Sequence, residues 1–229
     1  MAERVKSAKR RYNSPRRREQ AAATRRVILE AAQRLFEQQG YAATTMAAIA
    51  AEAGVALKTV YVAFDTKSGL LRTLWHLLLR GDQDSLPVGE QPWFREVLEE
   101  PDAARQLRLN MRNSRMVKVR AGALREVIRG AASGEPEIGA LWARIETEFH
   151  ANQRAIVQAL EDKGALSAGL DVATATDILW GLNHPSLYGL LVGERGWAPE
   201  RYELWLGDLL CSQLLGDGAR ENARTDVDG

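Results

Sequence analysis

The chain is poor in the residues on which secreted, metal-dependent and membrane proteins rely. It has one cysteine in 229 residues, Cys211, so no internal disulfide can form. Its three histidines, His76, His150 and His184, stand far apart and show no metal-ligand spacing, so neither a metal site nor a cofactor is expected. No apolar run is long enough to span a bilayer and no signal peptide is readable. With the lone thiol, this points to a soluble protein in a reducing, cytoplasmic setting, away from membranes. Catalytic machinery is missing too. There is no Ser/His/Asp arrangement and no glycine-rich phosphate loop, and Glu146 and Glu148, two apart on a helical stretch, face different ways, so no catalytic residue is expected. An all-α enzyme is thereby the weakest function class.

What is present is charge, unevenly placed. The formal net charge is +1, yet residues 1–26 hold ten basic side chains against Glu3 and Glu19, a local charge of +8. Residues 81–216 hold fourteen basic against twenty acidic side chains, a charge of −6. A phosphate backbone would attract the first segment and repel the second. A basic N-terminus also serves as a disordered solubilising tail, and one arm can do both.

Beside that basic segment, residues 44–64 (TTMAAIAAEAGVALKTVYVAF) read as two short helices pinned by a glycine. Thr45 can cap the first, alanine-rich helix, and Gly54 can take the left-handed conformation that turns the chain sharply. The second helix then begins at Leu57. Ile49, Ala53, Val55, Val60 and Phe64 can point one way, leaving Leu57, Lys58, Thr59, Tyr61 and Val62 on or near the opposite side, where they can enter a major groove. The order A-G-V-x-x-x-T-V-Y-x-x-F-x-x-K-x-x-L-L, followed by a helix, resembles the DNA-binding domain of TetR-family transcriptional repressors. The resemblance is dense over residues 25–75. Over residues 90–215 it extends only to the family's general plan, a helical ligand-binding and dimerisation domain.

That resemblance implies a role for each matching residue. Thr45 and Tyr61 would hydrogen-bond backbone phosphates, and Lys67 would meet a phosphate at the start of a fourth helix; Lys58 and Thr59 would reach base edges, with Leu57 and Val62 available for apolar contact. Three positions depart from the family: Ala56 where a serine or threonine usually caps the recognition helix, Val62 where a larger polar or aromatic residue is common, and Ala63 where a histidine or tyrosine is common. Fewer polar readers remain, which shifts specificity toward Lys58, DNA shape and the basic arm.

The expected architecture is all-α: a disordered basic arm (1–19), a three-helix helix-turn-helix DNA-binding domain (20–80), a linker (81–92) rich in glycine and proline, a helical effector-binding and dimerisation domain (93–215), and a polar disordered tail (216–229). In the DNA-binding domain, a helix ends at Gly40 and Asp65 or Thr66 caps the helix from Lys67 to about Arg80. Beyond the linker, helices are expected near 93–99, 102–120, 121–132, 136–163, 172–192 and 199–215, and no strand is credible. Trp142, Phe149, Trp180, Trp205 and Met116 recur at helical spacing, which mostly marks core. Pro185 in WGLNHPSLYG should kink its helix and aim Asn183, His184 and Tyr188 inward, so Met116, Trp142, Phe149, Trp180, Asn183, His184 and Tyr188 form the candidate ligand set. Arg112, Arg115, Lys118, Arg120 and Arg125 are too closely spaced for all to be buried; one turned inward would favour an anionic effector.

Apolar residues spread over more than one face of the last two long helices. Ile178, Leu182, Trp205, Leu206, Leu209 and Leu210 are therefore the expected seam of a homodimer, whose two reading heads would span a palindrome. The function expected is a DNA-binding regulator, a repressor released from double-stranded DNA by a small-molecule effector; control by a partner protein is the alternative.

Overall fold

The first described residue, Pro15, opens helix α1 (Pro15–Ala43), whose helical geometry breaks at Gly40 (φ 79°, ψ 174°) as the sequence anticipates. The computed structural model describes residues 15–80 and 87–219. Most of the basic arm, the first half of the expected linker and most of the tail thus lie outside the described residues, while helix starts at Pro15, earlier than expected. Then come α2 (Met46–Glu52), α3 (Leu57–Phe64) and α4 (Lys67–Arg80). A 3₁₀ turn at Val88–Glu90 leads into α5 (Pro92–Glu99), and α6 (Ala103–Ala131), α7 (Pro136–Asp162), α8 (Val172–Leu182), α9 (Pro185–Tyr188) and α10 (Pro199–Leu214) complete the order. The architecture is all-α; among the described residues the only β-type pairing is an isolated bridge between Leu166 and Leu215. No single helix there is long and apolar enough to cross a membrane.

Two helices differ from expectation. Residues 102–132 form one helix, because Ala121 and Gly122 continue α6 and the buried residues Ala121, Leu124 and Ile128 extend its apolar face. Residues 172–192 do not form one: α8 stops at Leu182, Pro185 starts α9 as its first residue, and a π-helical turn follows at Gly189–Glu194.

The chain divides into two compact units, residues 1–70 and 71–229, and the division falls inside α4. The first unit buries Ile28, Leu29, Ala32 and Phe36 of α1 with Met46 and Ile49 of α2, Val60 and Phe64 of α3, and Leu70. Tyr41 stacks on Phe36 with centroids 5.8 Å apart, closing the turn after Gly40. The second unit's core joins Leu107 and Met111 of α6, Ile156 and Leu160 of α7, Leu179 of α8, and Tyr202, Leu206, Leu210 and Leu214 of α10. Side-chain caps start α6 and α8: Asp102 accepts from the Arg105 amide at 2.7 Å and Asp171 from the Thr174 amide at 2.8 Å.

Candidate nucleic-acid interface and effector cavity

Helices α2 and α3 turn through 112° about Gly54, which sits at φ 65°, the left-handed region that glycine enters without strain. Such an angle and so short a connection make a helix-turn-helix. Thr45 caps α2, its hydroxyl oxygen accepting from the Ala48 amide at 3.0 Å. No side chain caps α3, because Ala56 stands at the N-cap. Val60 and Phe64 are buried beneath α3, whereas Lys58 is exposed and Leu57, Tyr61 and Val62 are 42%, 49% and 78% exposed. Thr59 is half-buried. The outward face is therefore largely apolar, with one lysine and one phenol.

Two cations lock this reader. The Arg25 guanidinium donates to the Ala63 carbonyl at the end of α3 and lies 4.2 Å over the Phe64 ring. Lys67, expected on a phosphate, donates here from its ammonium to the carbonyls of Tyr41 (2.8 Å) and Thr44 (3.0 Å) and lies 4.0 Å from the centre of the Tyr41 ring. An ammonium so engaged clasps the α1–α2 turn to the start of α4. Thr66 caps α4 by accepting from the Gly69 amide at 3.0 Å, and Gly69 must be glycine there, since a Cβ would sit 2.8 Å from the Phe64 carbonyl oxygen.

The second unit holds a cavity of about 110 Å³ bounded by Trp75 and Leu79 of α4, Trp93 and Phe94 of α5, the inner face of α6, and Ile145 and Phe149 of α7. Of the expected ligand set, only Phe149 and Asn183 line it. Met116 is 49% exposed on the outer side of α6. Trp142 carries the Arg125 guanidinium 4.5 Å over its ring, and Tyr188 packs edge-on against Tyr202 at 5.1 Å. Trp180 packs against His184 at 5.4 Å. His184 is the N-cap of α9: its Nδ1 accepts from the Ser186 amide at 3.3 Å, and its Nε2 lies 3.3 Å from the Arg125 guanidinium and 3.5 Å from the Glu146 carboxylate. Burial and the neighbouring Arg125 hold its pKa below the usual histidine value, so it stays neutral.

Of the residues that make the cavity polar, sequence reasoning named Lys118 and Arg125 only within the cation cluster and passed over Asn110 and Ser114. Asn110, Ser114, Lys118 and Arg125 follow one another along α6 at helical spacing and all line it. The signal was a polar stripe in register with buried Leu107, Met111 and Ala121. Lys118 is 7% exposed, and burial, reinforced by Arg125, brings its pKa down to about 7. Among the other clustered cations, Arg115 pairs with Glu200 and Glu203, and Arg120 donates to the Leu78 and Leu79 carbonyls at the end of α4.

The expected dimer seam also needs correction. Leu206 and Leu210 are fully buried (0% exposed) inside the protomer, where α10 lies along α6, and Ile178, Leu182 and Leu209 are partly buried against the same core. On α10 the outward apolar residues are Leu204, 65% exposed, and Trp205, 36% exposed, and Leu190 of the π-helical turn is 50% exposed.

Residues 28–74, which contain this helix-turn-helix, match the family model of bacterial regulatory proteins of the tetR family. Over 200 residues, 82% of this chain and 85% of the relative, the sequence is 26% identical to the HTH-type transcriptional regulator EthR of Mycolicibacterium smegmatis. In fold, the chain is similar to NalD, the secondary repressor of the MexAB-OprM multidrug efflux pump in Pseudomonas aeruginosa, with a TM-score of 0.65 at 22% identity over 86% of this chain and 99% of that one. It is similar also to FadR from Bacillus subtilis, solved in complex with stearoyl-CoA, with a TM-score of 0.64 at 19% identity over 82% and 97%. With an exposed α3 on a glycine-pinned turn, residues 28–74 form a helix-turn-helix domain of the tetR regulatory type, and the chain as a whole is similar to transcriptional regulators.

Proposed function

We propose that this regulator is a homodimeric repressor that reads a palindromic operator through α3 and leaves it when a small molecule fills the cavity of the second unit. The observation that carries the reading is α4. Its first residues belong to the unit that holds the reader, and Trp75 and Leu79, further along the same helix, line the cavity. A ligand that favours one position of α4 shifts the population of DNA-binding dimers in proportion to its preference, whereas equal affinity for both positions shifts nothing. Repression is what NalD is described as doing, and FadR was solved holding an acyl-CoA. Each gives precedent for one half of the proposal. On DNA, Lys58 is the polar base reader, Tyr61 contacts the backbone, and Leu57 and Val62 supply apolar contact, for instance with a thymine methyl. The setting is cytoplasmic, where the DNA is.

The test is a gel-shift titration against genomic fragments, followed by mapping of the bound sequence and addition of metabolite pools to the bound complex. A palindromic site whose half-sites lie about 34–36 Å apart, released by one pool fraction, is the expected result. Binding to a single half-site as tight as to the full site ends the dimer reading; a complex that no fraction releases ends the effector reading.

A further inference from the structure

The polar end of the cavity is short of acceptors. Ser114 Oγ and Lys118 Nζ both donate to the same amide oxygen of Asn183, at 2.8 and 2.6 Å. Asn183 donates in turn to Gln153 Oε1 at 3.1 Å, and Gln153 Nε2 to the Phe149 carbonyl at 3.4 Å. The acceptors of that chain are already engaged, while donors are left over. An ammonium has three N–H bonds, and the one hydrogen bond of Lys118 among the described residues is to Asn183. Asn110 Nδ2 is buried without a hydrogen-bond partner and lines the same space.

Charge runs the same way. Lys118 makes no ion pair among the described residues, whereas the positive charge beside it is already matched: Arg125 meets Glu146 at 2.6 Å and Glu126 at 3.5 Å. The other titratable groups facing the site are Tyr188 and Tyr202, whose ring centres lie 5.9 and 5.3 Å from the ammonium, neutral His184, and Glu148, whose exposed carboxylate faces Arg144 at 4.0 Å. A buried ammonium without a counter-ion is costly, and one negative charge would relieve it. Apart from Asn152, the rest of the lining is apolar, led by Trp75, Trp93, Phe94 and Phe149. At about 110 Å³ the space is somewhat smaller than an engineered cavity of about 150 Å³ that admits benzene.

We propose that the effector is a small monocarboxylic acid whose apolar body lies among these rings and whose carboxylate accepts from Lys118 and Asn110. The assignment rests on the reading of this cavity as the effector site. Binding of the acid recharges Lys118, so it draws a proton from solution when the pH lies above the lysine's pKa.

The test is titration calorimetry on the full chain with benzoate and hexanoate against benzamide and benzyl alcohol, about one pH unit above the Lys118 pKa of about 7, in two buffers of different ionisation heat. Benzoate should bind at least about tenfold more tightly than the neutral compounds and take up about one proton. Lys118→Met should abolish the uptake and the preference for acids while leaving benzyl alcohol affinity unchanged, and Asn110→Leu should weaken acid binding with the uptake intact. Neutral compounds binding as tightly as the acids, acids binding without proton uptake, or no compound binding at all would each overturn the acid assignment. The effector reading fails separately, when no compound of any class releases operator DNA.

Discussion

A lysine whose ammonium is held by two carbonyls and an aromatic ring is a fastener before it is a DNA contact. Lys67→Ala should lower the stability of the first unit by about 2 kcal/mol, the worth of a charge-assisted hydrogen bond, and weaken binding to every DNA sequence alike. Thermal melting of the variant checks this, and an unchanged melting curve would refute the clasp. Lys58→Ala should melt like wild type and lose about 1–3 kcal/mol of discrimination at particular base pairs, read by binding to single-base operator variants. Lys118 makes the third residue-scale prediction. Its folded-state pKa of about 7 lies well below the ordinary lysine value, so between those values the unfolded chain binds more protons and stability rises with pH. The gain is on the order of a few kcal/mol, complete only above the unfolded pKa and absent below about pH 7. Denaturant melts from neutral to mildly alkaline pH should show that rise, and Lys118→Met should flatten it while being the more stable protein at neutral pH. The sequence shows a lysine at position 67 and a cluster of cations around position 118. It does not show that carbonyls of the α1–α2 turn reach the first, or that the acidic residues near the second pair with its neighbours.

At the scale of elements, local signals were legible wherever the chain itself carries the stop. Gly40, Gly54, Thr45 and Pro185 each impose a backbone conformation or a cap that acts within one turn, and the helices begin, bend or end beside them. Gly54→Ala should cost about 1 kcal/mol at its positive φ and reduce operator affinity, measured by melting and gel shift. Which neighbour covers an apolar face was not legible, because periodicity gives the face and not its partner. Helix α10 is the example. Its leucines fit a dimer seam and a monomer core equally well by spacing, and Leu206 and Leu210 turn out to face α6. Leu206→Ala should therefore destabilise the protomer by about 2–5 kcal/mol, as a cavity in a well-packed core does, with the loss seen in circular dichroism melts.

For the whole molecule, the homodimer proposed above would have its seam among residues left outside that core. Leu204→Glu, at a position 65% exposed, should leave the melting of the protomer intact and yield monomers with weakened operator binding by sedimentation and gel shift. A variant that remains dimeric would place the seam elsewhere. The distribution of tryptophan has a different consequence. All six stand after residue 70, outside the unit that reads DNA, and Trp75 and Trp93 line the cavity from two different helices. The protein thus carries its own optical probe: operator binding adds no indole to the spectrum, while an occupant of the cavity displaces water or stacks beside two of them and changes their emission. Intrinsic fluorescence can follow filling of the cavity with DNA still bound, in the ternary state that the proposed release would pass through.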